Sequence, residues 1–407
     1  MADRGNVGDS ERSARGSGAP AACKKGSSMA TETGTRIITA PGWTGQPRLD
    51  VGLIDCDVHQ VITQPEDLHP YLPRVYKQQL IEQGLRIPSS GYFNVPRNAA
   101  RTDLAANCDG DKHNPFQDGG AYETLRDEHL NVWNVDYALL TGSSTYGASI
   151  IPDPDFAAAL CRAFNDWTIE HWLDRDERLL MAMSISTSDP QLAIQEIERI
   201  GSNPRIKAIM LPTGNRMPYG NRFYHPIWEA CERHGLVLGI HIGNEGAGMA
   251  GPPTGVGYPT YYIETRMARP QMAMAHAVSL IAEGVFEKFP RLKMLIDEVD
   301  QFWVAGLMWH MDADWKSLRD QTPWVKHLPS EYVLDHIRVG SQPMLEAANN
   351  EQFLCMLDAM HAERTLVYSS DWPHWDWDDP ATTFPKLPER LHRRVFADNA
   401  RELFGLL

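Results

Sequence analysis

Short apolar runs recur along the chain, with helical patterns between them. The runs at 51–55, 135–141, 179–185, 206–211, 236–241, 292–297, 336–340 and 365–370 are mostly continuous rather than alternating. Continuous runs of this length suit strands buried on both faces of a parallel sheet. Over 154–174, Phe156, Leu160, Phe164, Trp167 and Trp172 return at roughly helical spacing. Asp189-Pro190 opens 189–201 as an N-cap followed by proline at the first helical position. The stretches 224–234, 261–285, 301–320, 344–361 and 388–404 read the same way. Eight strands with helical crossovers predict an α/β fold, the (β/α)8 TIM barrel. The competing reading is an open doubly wound sheet. No G-x-G-x-x-G follows the first strand, which removes the usual nucleotide-binding form of it.

Composition sets the limits around that barrel. Residues 1–47 are rich in Gly, Ser, Ala, Thr and charge, so a disordered N-terminal tail is expected ahead of a barrel over 48–407. Met29, inside the tail, is a candidate true start. Residues 60–130 are too long for a simple first βα connection and predict a long insertion over the barrel mouth. The 53 acidic and 38 basic residues give a formal net charge of −15, which argues against nucleic acid or an anionic membrane as partner. No apolar run approaches the roughly 18–20 residues that span a bilayer. The six cysteines, Cys23, Cys56, Cys108, Cys161, Cys231 and Cys355, form no C-x-x-C pair. They read as free thiols, and a cytoplasmic protein is expected.

In such a barrel the active site lies at the C-terminal ends of the strands. Asp57 and His59, His241, Asp297 and Glu298, and Asp371 stand at those ends. Residues two apart in an extended segment point the same way, so Asp57 and His59 can aim at one ion while Cys56 and Val58 face elsewhere. Two imidazoles with two carboxylates make a borderline nitrogen and oxygen site, suited to Zn²⁺, Fe²⁺ or Mn²⁺.

Five segments, in this order and spacing, resemble the amidohydrolase superfamily, and within it the amidohydrolase-related branch that includes decarboxylases. They are Ile54-Asp-Cys-Asp-Val-His59, Gly239-Ile-His-Ile-Gly243, Phe289-Pro-Arg-Leu-Lys293, Ser369-Ser-Asp-Trp-Pro-His-Trp-Asp376 and Asp398-Asn-Ala-Arg401-Glu-Leu-Phe404. The resemblance runs through residues 50–407. It implies one divalent metal, zinc first with iron or manganese as alternatives, held by Asp57, His59, His241 and Asp371. It also implies hydrolysis or non-oxidative decarboxylation of a small organic molecule through metal-activated water, with Asp371 taking a proton. Decarboxylase relatives carry a catalytic histidine in a His-x-Gly-Gly motif after strand six. Glu298-Val-Asp300 stands there in this chain. A carboxylate replaces that imidazole near neutral pH only if its pKa is raised. No lysine follows Leu211-Pro-Thr-Gly, so a carbamylated-lysine di-zinc centre is not expected.

Glu298 opens a second reading. With Asp371 and His276 or His374 it would help to hold a second ion. The same motifs resemble subunits of dinuclear Fe or Mn/Fe monooxygenases, which hydroxylate small substrates such as 2-aminoisobutyric acid. A third reading is a non-catalytic partner subunit with a structural metal. By resemblance, a homo-oligomer or a hetero-oligomer with a homologous subunit is expected. His276 sits in apolar Met-Ala-Met-Ala-His-Ala-Val, where a packed core histidine is the competing role. His374, with Asp371 and Glu298, is a candidate catalytic group. Trp372 and Trp375 either wall the pocket or pack its rim, and Tyr261 and Glu264 are candidates for binding substrate or a neighbouring subunit.

Overall fold

A computed structural model describes residues 52–62, 64–88, 122–142, 144–374 and 376–406. The expected tail over 1–47, residues 63 and 89–121 of the expected insertion, and Trp375 lie outside the described residues. Eight strands form one sheet in sequence order, every neighbouring pair parallel. They are β1 (Leu53–Val58), β2 (Val135–Leu140), β3 (Leu179–Ser184), β4 (Ile206–Pro212), β5 (Val237–His241), β6 (Met294–Asp297), β7 (Ile337–Gly340) and β8 (Leu366–Val367). Backbone bonds join the ends: Cys56 N–H donates to Tyr368 O at 3.0 Å and His59 N–H to Trp372 O at 2.8 Å. This is the (β/α)8 barrel that the apolar runs predict.

The two faces of each strand make two cores. Ile54, Cys56, Leu139, Leu180, Ala182, Ala208, Met210, Leu295 and Val367 meet one another and Leu403 and Phe404 of the last helix. The alternate residues, such as Leu53, Val58, Met183, Ile209 and Ile240, join a larger cluster with the helices. Burial on both faces is why the runs are continuous rather than alternating. Two helix starts are set by side-chain caps. Asp189 accepts from Gln191 N–H at 2.7 Å ahead of helix Pro190–Ile200. Asn349 accepts from Gln352 N–H at 2.9 Å, so the helix expected from 344 begins at Asn350.

Two departures from regular strand geometry matter for the site. Asp55 pairs with Ala138 and Val58 with Leu140, three steps against two, so β1 carries a bulge at Cys56-Asp57. Cys56 therefore faces the inner core directly below the site, while Val58 faces outward. β8 is shorter than the apolar run 365–370, because side chains replace its ladder partners. Ser369 N–H donates to Ser341 Oγ at 3.1 Å, and Ser370 N–H to Asp55 Oδ1 at 2.9 Å. Pro88, the last described residue before 89–121, accepts a hydrogen bond from Asn244 in the loop after β5, so this part of the insertion meets the barrel mouth.

Candidate metal centre

Asp57, His59, His241 and Asp371 are all buried, and one ligand atom from each lies within 4.8 Å of the others. They come from the ends of β1, β5 and the segment after β8, as the strand-end rule requires. Both histidines are fixed in the same way. His59 donates from Nδ1 to Gly142 O, and His241 donates from Nδ1 to Ile242 O at 2.7 Å. Each Nε2 is thereby turned inward as a potential donor atom, the arrangement that ligating histidines take from their outer partners. His59 Nε2 is 2.7 Å from Asp371 Oδ1 and 3.4 Å from Asp57 Oδ1; His241 Nε2 is 3.2 Å from Asp57 Oδ2. Asp371 Oδ2 is buried and has no hydrogen-bond partner. Donor atoms bonded at about 2.1 Å to one tetrahedral ion stand about 3.4 Å apart. These residues therefore fit a divalent ion by spacing, by donor type and by an unsatisfied buried oxygen.

Electrostatics agree with that fit. Burial lifts the Asp57 carboxyl, but the charges of His241 and His59 outweigh it and hold the group below its ordinary value. Burial disfavours protonated His59, yet Asp57 and Asp371 push its imidazole up to about 10. Asp371 is likewise held low, burial being outweighed by His374 and His59. The centre thus favours positive charge at the point where the imidazole nitrogens meet the carboxylates. A divalent ion would supply that charge in place of the imidazole protons.

Glu298 follows β6 with φ 57°, and Asp371 has φ 62°. Left-handed backbone at a non-glycine residue costs on the order of 1–3 kcal/mol and collects at functional sites. The turn aims Glu298 at the centre, with Oε2 3.7 Å from His241 Nε2. Its other oxygen is 2.6 Å from Arg269 Nη1. Burial raises the Glu298 carboxyl above its ordinary value, Arg269 opposes this, and Asp371 adds to it. The shift runs in the direction that a proton-carrying carboxyl in this position requires. His374, partly exposed at the mouth, bonds through Nδ1 to Asp371, its ring centroid 4.3 Å from that of His59.

The other expected residues fall elsewhere. His276 accepts Tyr219 N–H at Nδ1 at 3.2 Å and meets Thr213 O through Nε2 at 2.8 Å, so both ring nitrogens are spent on backbone. The structure does not bring it into the centre. Trp372 is buried against His129, ring centroids 6.0 Å apart, and packs the barrel wall. Tyr261 is exposed, and Glu264 accepts Tyr261 N–H at 2.6 Å and Thr260 N–H at 2.9 Å, capping helix Tyr262–Ala282. Asp297 is fully buried, and neither carboxyl oxygen has a partner. Glu298, Asp371 and Asp376 form a second carboxylate group within 4.8 Å. Arg269 meets Glu298, and Arg266 Nη1 lies 2.8 Å from Asp376 Oδ2.

Three residues at the site escape a strand-end reading of the sequence. Thr141 Oγ donates to Asp57 Oδ1 at 2.6 Å. Tyr146, in the turn Ser144–Ile150, lays its ring 5.1 Å from that of His241. Arg269 arrives from the middle of a helix. Thr141 could have been found, since it closes the apolar run 135–141; a helical arginine carries no such signal.

Comparison with known proteins places this geometry among relatives. Residues 54–406 match the family described as Amidohydrolase. A γ-resorcylate decarboxylase of Rhizobium sp. is 25% identical over 277 residues, covering 63% of this chain and 79% of that protein. The crystal structure of an amidohydrolase from Mycobacterium avium subsp. paratuberculosis superposes with a TM-score of 0.66 at 18% identity, covering 88% of this chain and 99% of the other. A 5-carboxyvanillate decarboxylase from Novosphingobium aromaticivorans, solved with manganese and 4-hydroxy-3-methoxy-5-nitrobenzoic acid, gives a TM-score of 0.61 at 16% identity, with 89% and 98% covered.

Proposed function

Because the chain belongs to the amidohydrolase family, we propose that it is a metal-dependent, non-oxidative decarboxylase of a small hydroxylated aromatic acid. The observation that carries this reading is the position of Glu298, a buried carboxyl 3.7 Å from His241 and beside the four-residue donor set. The named relatives, which act on γ-resorcylate and 5-carboxyvanillate, support the substrate class. Among the ions that the donor set accepts we infer Mn²⁺ ahead of zinc, supported by the manganese in the 5-carboxyvanillate enzyme.

Asp57, His59, His241 and Asp371 would hold the ion. When bound, it supplies a Lewis acid that fixes an anionic substrate and draws electron density from the reacting ring. Decarboxylation breaks the bond between ring carbon and carboxylate, releases CO₂ and leaves an electron pair on that carbon. Glu298 Oε2 delivers a proton to it, and Arg269 holds the other oxygen so that Oε2 faces the reaction. His374, bonded to Asp371 and open to solvent, returns a proton to the site. In the second carboxylate group Arg269 pairs with Glu298 and Arg266 with Asp376, and Asp371 belongs to the first donor set, so this reading assigns no second ion.

Free Cys56, Cys161, Cys231 and Cys355 support a reducing, cytoplasmic compartment. No described helix is long and apolar enough to cross a membrane. Exposed Tyr261, Ile263 and Met267 around one helix start support an oligomer, with a like or a homologous subunit.

The direct assay adds γ-resorcylate or 5-carboxyvanillate to Mn²⁺-loaded protein and measures CO₂. Release of CO₂ with the matching phenol is expected. Ester or amide hydrolysis without CO₂ release would defeat the reading.

A further inference from the structure

We propose that Asp55, which the reaction does not use, is a positioning residue for the metal centre, fastening the two backbone segments that carry Asp57 and Asp371. Its side chain is fully buried on the outer side of β1. Oδ1 accepts Ser370 N–H at 2.9 Å and Asp57 N–H at 3.2 Å. Those two amides belong to one ligand and to the residue just before another, on strands that meet at the seam of the barrel. Oδ2 is 2.7 Å from His129 Nε2, and both groups of that pair are fully buried.

The seam explains why a side chain is needed there. Asp371 N–H donates to Asp57 O at 3.0 Å, and His59 N–H to Trp372 O, so the two ligand segments are joined directly. Between these bonds the backbone leaves regular geometry twice, at the β1 bulge and at left-handed Asp371. A parallel ladder interrupted in this way strands amide hydrogens, and a buried N–H without a partner costs about 1–3 kcal/mol. The Asp55 carboxylate takes two of them with one oxygen. His129 in turn is walled by Trp372, 6.0 Å away and near-parallel, and by the edge of Trp377 at 6.1 Å. The Asp55–His129 pair is therefore clasped by the residue that follows Asp371. Movement of Asp55 would shift the carboxylates of both ligand segments.

The test measures Mn²⁺ dissociation by equilibrium dialysis on the full chain, with the melting temperature of the metal-free protein recorded beside it. Asp55→Ala is expected to weaken Mn²⁺ binding about 10- to 100-fold, as loss of an outer partner does at other metal sites. Asp55→Asn keeps an oxygen that can accept both amides, and is expected to recover most of that affinity. If the alanine variant does not fold, Asp55→Ser, too short to reach both amides, carries the same expectation. A lower melting temperature with native Mn²⁺ affinity overturns the proposal, and so does an asparagine variant as weak as alanine. The inference rests on the metal reading above, and His241→Ala separates the two. Native affinity in His241→Ala defeats the metal reading itself. Lost affinity there, with none lost in Asp55→Ala, defeats only the positioning role.

Discussion

Glu298 and Arg269 form a buried ion pair, 2.6 Å between Oε1 and Nη1, that comes from different elements and meets at the metal centre. The arginine leaves Oε2 as the oxygen turned to His241. The two oxygens of one carboxyl group thus face different neighbours, Arg269 on one side and His241 on the other. This division is the geometry on which the proposed proton delivery by Glu298 rests.

Glu298→Gln keeps the size and removes the proton carrier. Its kcat is expected to fall roughly 100- to 10,000-fold, the usual contribution of a general acid. Mn²⁺ affinity should stay close to native, because the four ligands are untouched. Arg269→Met should lower kcat in the same direction. Steady-state kinetics with metal content measured on the same samples checks both.

His276 predicts an acid limit to stability. Burial lowers its imidazole from the ordinary 6.5 to about 4. The unfolded chain therefore binds the extra proton first, and stability present above about pH 6.5 is lost as pH falls towards 4. The full difference corresponds to about 3 kcal/mol. Urea unfolding midpoints should fall across that window in the native protein. His276→Gln should be less stable at neutral pH but flatter with pH.

Gly340 ends β7 where a Cβ would stand 2.3 Å from Asp297 Oδ1 and 2.5 Å from Ser369 Oγ. Gly340→Ala must displace a fully buried carboxyl below the metal centre. A cost of about 1–3 kcal/mol is expected, as for other overpacked cores. Thermal denaturation of the metal-free protein measures it.

The barrel was legible because burial on both faces writes each strand as a continuous apolar run. The four proposed ligands were legible because they follow those runs directly. The length of β8 was not, since Ser341 and Asp55 side chains take its ladder bonds from distant parts of the chain. Nor was Arg269 legible as a site residue, because helical periodicity does not tell which strand end a long side chain reaches. Glu264 has a local role that the sequence reading did not name. Its bonds to the Thr260 and Tyr261 amides cap the helix start, a use of the side chain that a search for substrate or subunit contacts does not reveal.

The most direct measurement runs the Mn²⁺-loaded protein with γ-resorcylate or 5-carboxyvanillate in D₂O and follows the ring by NMR. Proton delivery to the vacated carbon predicts CO₂ release and a single deuterium at that carbon, both lost in Glu298→Gln. A product that gains oxygen, or a substrate that keeps its carboxylate while another bond is hydrolysed, contradicts it.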